Sequence, residues 1–463
     1  MNAAIIWVFL PIFISVFVWL LRDRPIYAKV LSLVSSFLLL VLTLIIPLDS
    51  IIQIGPFTLQ IPSTMNILGR SLVIRNEDLP MLTLIFAFAV FWFIGTLFLN
   101  MNRHFPAVSL MIIGLSIAAI SVEPFLYAAL IIEVVVLVSI PVFISEGKPV
   151  GKGLIRFVQL QTLAMPFILY AGWTVLSVEA NRFNQAMMQQ TILAFGLGFA
   201  LWLAIFPFYT WIPLLTAESE PYVAGFLLLI YPIVTIHLGM KFLNSYSWLR
   251  TSTQLGSVIQ GAGILLILSS GIFAVYQKDI RKLFGYLVLL ENGFALLAIA
   301  IHTQAGYQYY YALMFPRLFV YALWSYTATQ YDTEKRNRAG DNWHIGFYTL
   351  VLIFAMLASV GLPFFAMAPL RMRILQAFNG SAIFFQLILI GLIGYGIGVL
   401  RAIYSLIGDE MQSLRSIRMR SLFRVESIVL IAGVLFTFVM GIYPGIFEKA
   451  TLLLIQIYDK LIA

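Results

Sequence analysis

Continuous apolar runs, each close to the ~20 helical residues needed to cross a bilayer, alternate along the chain with short polar, charged or turn-rich breaks. Segmented at those breaks, the first half gives runs from Ala3 to Leu21, Val30 to Ile46, Leu79 to Leu99, Ala107 to Val122, Pro124 to Ile144, Phe157 to Leu176 and Ile192 to Trp211. The second half gives Tyr222 to Leu243, Leu255 to Tyr276, Leu283 to Ile301, Tyr309 to Thr327, Ile345 to Met367, Ala382 to Ile407 and Val425 to Ile442. The pattern predicts an all-α polytopic membrane protein of about fourteen spans. A transmembrane barrel would show segments of about ten residues alternating apolar and polar, which these runs do not. The tail from Phe447 to Leu461 is amphipathic enough to lie in the interface.

Composition agrees: 61% of the 463 residues are hydrophobic and 10% charged, with a mean hydropathy of +0.97, which excludes a soluble globular domain. The net charge of +8 is a topology signal and not a nucleic-acid footprint. Seventeen of the 28 Lys and Arg residues fall in the odd-numbered connections, among them Arg22, Arg24, Lys29, Lys152, Arg281, Lys282, Lys335 and Arg336, against nine in the even ones and the C-terminal tail. That bias places odd connections in the cytoplasm and both termini on the opposite side. The first run lacks a basic n-region and a small-residue cleavage site, so it reads as a retained helix. Without cysteine, the chain itself offers no thiolate ligand for zinc or an iron–sulfur cluster. No catalytic nucleophile or dinucleotide loop is visible. Gly151-Lys152-Gly153 lacks the rest of a phosphate loop and reads as a charged turn.

Ionisable residues inside such runs are functional-site candidates by default. Glu133 lies about 14 Å into its span at 1.5 Å per residue, near mid-depth, and Glu291, Arg317 and His237 are comparably central. They are expected to form a buried row. Burial disfavours a charged carboxylate and a nearby Arg restores it, the tension that a proton relay exploits; the bland alternative is a static ion pair, Glu291 with Arg317. Two runs are interrupted at proline, Phe206-Pro207-Phe208-Tyr209-Thr210-Trp211 in the seventh and Gly361-Leu362-Pro363-Phe364-Phe365 in the twelfth. Broken helices in corresponding positions of two halves point to a transport pathway. Glu133 and Glu291 are 158 residues apart, and Pro207 and Pro363 are 156 apart, so a five-helix unit is expected twice. Because five is odd, the copies must be inverted. The implied division is 1–100, then repeats at 107–243 and 255–407, then 425–463.

These residues resemble the antiporter-like subunits of respiratory complex I, of Mrp-type cation/proton antiporters and of membrane-bound hydrogenases. The resemblance rests on the stretch from Phe125 to Glu133, the segment Phe206 to Pro213, the connection Lys278-Asp279-Ile280-Arg281-Lys282-Leu283 with Tyr286, and Ala358-Ser359-Val360-Gly361-Leu362-Pro363. It implies fourteen helices with broken seventh and twelfth helices, and, from the length, one of the family's shorter types without a long lateral helix. In that family a glutamate of the fifth helix pairs with a lysine of the seventh, and a polar row continues across the membrane. Glu133 falls on the glutamate, but the seventh-helix lysine position is Trp202 and the eighth-helix position falls near Val234, with His237 one turn later. Glu291 stands where the family often shows histidine. A basic position of the eleventh helix reads Tyr321, with Arg317 one turn earlier, and the terminal position of the twelfth reads Arg371. Tryptophan cannot bind a proton and arginine hardly ever releases one, so the row is rewritten.

The resemblance implies a membrane-arm subunit of a redox-driven or ion-coupled proton or cation translocating complex in a bacterial or archaeal plasma membrane. Its partners would be other membrane-arm subunits, with flavin, iron–sulfur clusters and quinone in partner chains and no nucleic acid. Glu133, His237, Glu291, Arg317 and Arg371 would line its path. Trp202 and Arg371 leave open a degenerate, non-conducting structural subunit, and an Mrp-type antiporter subunit also fits. A stand-alone exporter of lipid-linked or small organic substrates would need more polar cavity than these sparse charges provide.

Overall fold

The computed structural model describes residues 2–54, 57–67, 69–144, 149–180, 184–336, 343–415 and 425–462. A π-helical turn, Ile5–Phe9, leads into α1 (Leu10–Leu20). There follow α2 (Pro25–Ile45), α3 (Leu79–Thr96), α4 (Phe105–Ser121), α5 (Ala128–Phe143), α6 (Lys152–Ala180), α7 (Gln185–Trp202), α8 (Trp211–Glu218), α9 (Pro221–Ser245) and the short α10 (Ser247–Arg250). The second half comprises α11 (Thr253–Ala274), α12 (Ile280–Ala300), α13 (Gln304–Arg336), α14 (Trp343–Val360), α15 (Ala368–Ala377), α16 (Ala382–Arg415), α17 (Val425–Ile442), α18 (Glu448–Ile455) and α19 (Asp459–Ile462). Among the described residues, nine helical segments are long and apolar enough to cross a membrane, and three more are apolar but shorter. α13 is not among them: its tyrosines and Arg317 dilute an otherwise long helix. At 33 residues and 1.5 Å per residue it extends about 50 Å.

Burial ranks the helices. The apolar windows of α9 and α12 are 94% buried, whereas that of α17 is 22% buried, so α9 and α12 form the core and α17 belongs to the outer wall. Helices that associate in lipid gain little from apolar burial and depend on close packing of small residues. The seam between α11 and α16 follows that rule: a Cβ on Gly271 would lie 2.0 Å from the Gly391 carbonyl oxygen, and one on Gly398 2.4 Å from that of Ala274. Larger residues there would force the two backbones apart.

The expected breaks are present. α7 stops at Trp202, and the chain runs through a cis Phe206–Pro207 peptide and a 3-10 turn, Phe208–Thr210, before α8 begins at Trp211. α14 stops at Val360; Gly361 has φ +81° and Phe364 φ +73° before α15 starts at Ala368. Proline in each gap removes a helical donor.

Two features depart from the sequence expectation. The connection after the second run is not plain loop: β1 (Ile51–Ile54) pairs antiparallel with β2 (Phe57–Gln60), and β3 (Thr64–Ile67) with β4 (Arg70–Val73), which also pairs with β5 (Val122–Glu123). A small β cap therefore accompanies the helices, hidden from a reading that looks for runs of bilayer length. The tail also does more than lie at an interface: Leu454, Ile455, Ile457 and Tyr458 are buried while Leu452 and Leu453 are exposed, and α18 packs on α13 and α3.

Candidate functional site

Glu291, on the core helix α12, is wholly buried and held by two guanidiniums. Its Oε2 accepts from Arg317 Nε of α13 at 3.2 Å, and its Oε1 accepts from Arg371 Nε of α15 at 3.1 Å and from Arg371 Nη2. Arg317 Nη2 also donates to the Glu291 main-chain carbonyl. Both arginines are buried. The static pair Glu291–Arg317 is thus present, but as a triad with net charge +1. Hydropathy places Arg371 in a connection beyond the twelfth run; the structure places it in the core.

The twelfth-helix break explains the second arginine. A helix end leaves its last carbonyls without intrahelical donors and carries partial negative charge. Arg371 Nη1 donates to the carbonyl of Val360, the last residue of α14, at 2.9 Å. Gly361 makes room for it: a Cβ there would lie 2.8 Å from Arg371 Nη1. One guanidinium therefore caps the broken helix and neutralises the Glu291 carboxylate, while its face stacks 5.3 Å from the Phe294 ring centroid. Beside the triad, Ser359 Oγ and Tyr395 Oη are 2.9 Å apart. Both polar atoms of buried Asn292 and the hydroxyls of Tyr310 and Tyr321 have no protein partner among the described residues. Tyr321, at the lost basic position, turns its ring edge to Phe284 at 5.2 Å.

A second cluster joins α9, α13 and the 3-10 turn Gln456–Tyr458 of the C-terminal tail. His237 Nδ1 is 2.6 Å from Tyr458 Oη and 3.3 Å from Tyr311 Oη, and Tyr311 donates to Tyr458 at 2.9 Å. All three side chains are buried. One helical turn beyond His237, Lys241 Nζ pairs with Asp78 Oδ1 at 3.0 Å and donates to the Ile120 carbonyl at 2.8 Å. Asp78 also accepts from the Arg75 backbone N–H at 2.9 Å, tightening the turn that opens α3. Tyr310 packs ring to ring with Tyr311 at 4.9 Å between centroids, and its hydroxyl has no protein partner among the described residues. Sequence reasoning missed Lys241, Asp78, Tyr311 and Tyr458. The i, i+4 spacing of His237 and Lys241 was the available signal; Asp78 and Tyr458 sit outside apolar runs and gave none.

Glu133 stands apart. It is half-buried on α5, where Oε1 accepts from Thr162 Oγ1 of α6 at 2.7 Å and buried Oε2 has no protein partner. The structure therefore splits the expected single row: Glu291, Arg317 and Arg371 meet directly, His237 lies in the adjoining tyrosine cluster, and Glu133 bonds to neither. Trp202 and Val234, at the lost lysine positions, are buried, and the Trp202 ring is edge-on to Phe199 at 5.3 Å.

At the end of the molecule where α9 and α12 begin, a polar cavity of about 630 Å³ is lined by Arg103, Glu218, Glu220, Arg281, Asp332 and Arg336, among others. Arg281 pairs with Asp332 there. Burial pushes the Glu220 carboxyl above the usual value of 4.5, only partly offset by the Asn102 backbone N–H, Arg336 and Arg281. The Gly153 N–H donates to Glu218 Oε2 at 2.6 Å, so a carboxylate already occupies the turn that superficially resembles a phosphate loop.

Broken helices around buried ion pairs define a helical membrane protein with an antiporter-like core. The chain belongs to the NADH:quinone oxidoreductase/Mrp antiporter transmembrane family, whose pattern it matches over residues 153–398. It is 23% identical over 269 residues to NADH-quinone oxidoreductase subunit N of Sulfurovum sp. (strain NBC37-1), covering 54% of this chain and 51% of that one. In such alignments the chain spans about half or less of the length of the curated relatives it matches. Its fold is similar to a chain of the membrane-bound sulfane sulfur reductase, an archaeal respiratory membrane complex, with TM-score 0.76, 14% identity and coverage of 100% and 98% of the two chains. It is also similar to a chain of respiratory complex I from Thermus thermophilus, with TM-score 0.67, 16% identity and coverage of 99% and 100%.

Proposed function

We propose that this chain is a membrane-arm subunit of a complex I-like, redox-driven proton or cation translocating complex, to which it contributes a buried polar path. The observation that carries this reading is the succession of buried ionisable and hydroxyl side chains through the core, from Asp78–Lys241 through His237, Tyr458, Tyr311 and Tyr310 to Arg317, Glu291 and Arg371. Charges at membrane depth are costly and mark ion pathways when they face the bundle interior. The polar atoms of Asn292, Tyr310 and Tyr321 left without protein partners offer water the hydrogen bonds that a hydrated path requires.

In this reading the chain crosses the membrane fourteen times, with α7–α8 and α14–α15 each counted as one broken span. The repeats at 107–243 and 255–407 are inverted, and both termini face away from the cytoplasm. Its partners are other antiporter-like and small membrane subunits; flavin, iron–sulfur clusters and quinone belong to partner chains. Glu133, between α5 and α6, is a protonatable group separate from the central cluster.

A second reading, a structural subunit that does not conduct, is favoured by the two guanidiniums that saturate Glu291. The test is Glu133→Gln and His237→Gln in the assembled complex, with proton uptake into inverted vesicles as readout. The first reading expects at least one variant to lose most of its uptake while the complex still forms. Full uptake in both favours the structural subunit.

A further inference from the structure

The C-terminal tail is bolted into the core. Asn244 Oδ1, near the end of α9, accepts from the Lys460 and Leu461 backbone N–H groups, each at 3.1 Å, while Asn244 Nδ2 donates to Asp459 Oδ1 at 3.2 Å. Gln308 Nε2 donates to Thr451 Oγ1 at 3.4 Å. These bonds flank Tyr458, which is fully buried and whose hydroxyl lies between two other buried polar groups, His237 Nδ1 and Tyr311 Oη. A phenol that served only to anchor a tail would need one partner. Here the hydroxyl accepts from Tyr311 and lies 2.6 Å from His237 Nδ1, to which it donates when the imidazole carries its proton on Nε2, as a link in a proton wire must.

We propose that Tyr458 is a functional link in the path: the tail completes the connection between His237 and the end of the molecule where Asp78 and Lys241 pair. The inference rests on the function proposed above. In one step the Tyr458 O–H proton passes to His237 Nδ1, and Tyr458 takes the Tyr311 O–H proton in return. His237 then releases its Nε2 proton to a water molecule, that nitrogen having no protein partner among the described residues, and Tyr311 regains a proton from a second water. One proton enters and one leaves, and each oxygen keeps its O–H. Around this wire stand Tyr310, ring to ring with Tyr311 at 4.9 Å, and Lys241, one turn along α9 from His237 and paired with Asp78, whose turn packs against the turn that carries Tyr458. No lysine is needed at the Val234 position, because the tail supplies a hydroxyl contact one turn further along α9.

The experiment compares Tyr458→Phe, His237→Gln and the double variant in the full complex, in inverted vesicles energised by the host's respiratory substrates. Phenylalanine keeps the ring and removes only the hydroxyl. The proposal expects Tyr458→Phe to lower proton uptake at least fivefold with normal assembly, the double variant to be no worse than His237→Gln alone, and the solvent deuterium isotope effect on uptake to change. Normal uptake in Tyr458→Phe beside a defective His237→Gln overturns the tail's role and leaves the proposed function standing. Normal uptake in Tyr458→Phe, His237→Gln and Glu133→Gln overturns both. Should Tyr458→Phe not assemble, Tyr311→Phe cuts the same wire from α13: the same loss supports the proposal, and unchanged uptake overturns it.

Discussion

Glu291 is held by two arginines, and the sign of the leftover charge decides what each substitution does. Removing the carboxylate leaves two buried guanidiniums 26 and 80 residues away in sequence facing each other without a counter-charge. Breaking a buried pair in this way costs roughly 3–5 kcal/mol, so Glu291→Gln is expected to lower thermal stability in detergent severely. Arg371→Gln leaves the neutral Glu291–Arg317 pair and is expected to cost clearly less. Equal losses would show that Arg371 matters mainly as a helix cap and not for its charge. The sequence makes Glu291 and Arg317 conspicuous because each interrupts an apolar run. Arg371 is less visible: it follows the Gly361–Pro363 break, where hydropathy ends the span, and only the fold brings α15 back beneath α12. Lys241 is hidden because a lysine near the end of an apolar run reads as an interfacial charge, and Tyr458 because an aromatic residue in an amphipathic tail reads as an interfacial anchor.

The breaks at Pro207 and Pro363 are legible because proline and glycine act through the local backbone. What the gap does is not, since it depends on which side chain fills it. At Gly361 two constraints coincide, a left-handed φ of +81° and the guanidinium of Arg371 against the missing Cβ. A non-glycine residue in that backbone region costs roughly 1–2 kcal/mol, before any displacement of Arg371. Gly361→Ala is therefore expected to lower the unfolding temperature and weaken assembly. Gly396→Ala is the matched control, because its Cβ would meet only Val360 Cγ1 at 3.5 Å, an ordinary contact. Similar melting of the two variants would contradict the account of the break. The β cap was invisible for a different reason: strands of four residues carry too few positions for a periodicity to register beside runs of twenty.

Across the whole molecule, burial and charge separate a sealed interior from a titrating end. Glu220, ahead of α9, has its carboxyl raised above 4.5 by burial, so the folded state binds its proton more tightly than the unfolded chain does. Its contribution to stability is fully present below pH 4.5 and falls as pH rises through the higher folded value. Glu220→Gln retains an acceptor for the Asn102 N–H and removes the buried charge. The variant is expected to melt higher at neutral pH and to show a flatter pH dependence above 4.5; an unchanged profile would contradict the assignment. The membrane class, the two breaks and the Glu291–Arg317 contact are legible in the sequence, whereas the separation of Glu133 from the central cluster and the insertion of the tail are tertiary facts.

The central claim is that this chain works inside a redox-driven membrane complex, and the most direct measurement is native-gel migration after extraction in mild detergent, with flavin and iron–sulfur absorbance recorded on the same band. The account predicts a large band that carries other membrane subunits and chromophore. A band of membrane subunits without chromophore would contradict the redox assignment and leave an Mrp-like antiporter, and a lone monomer would contradict membership in any complex.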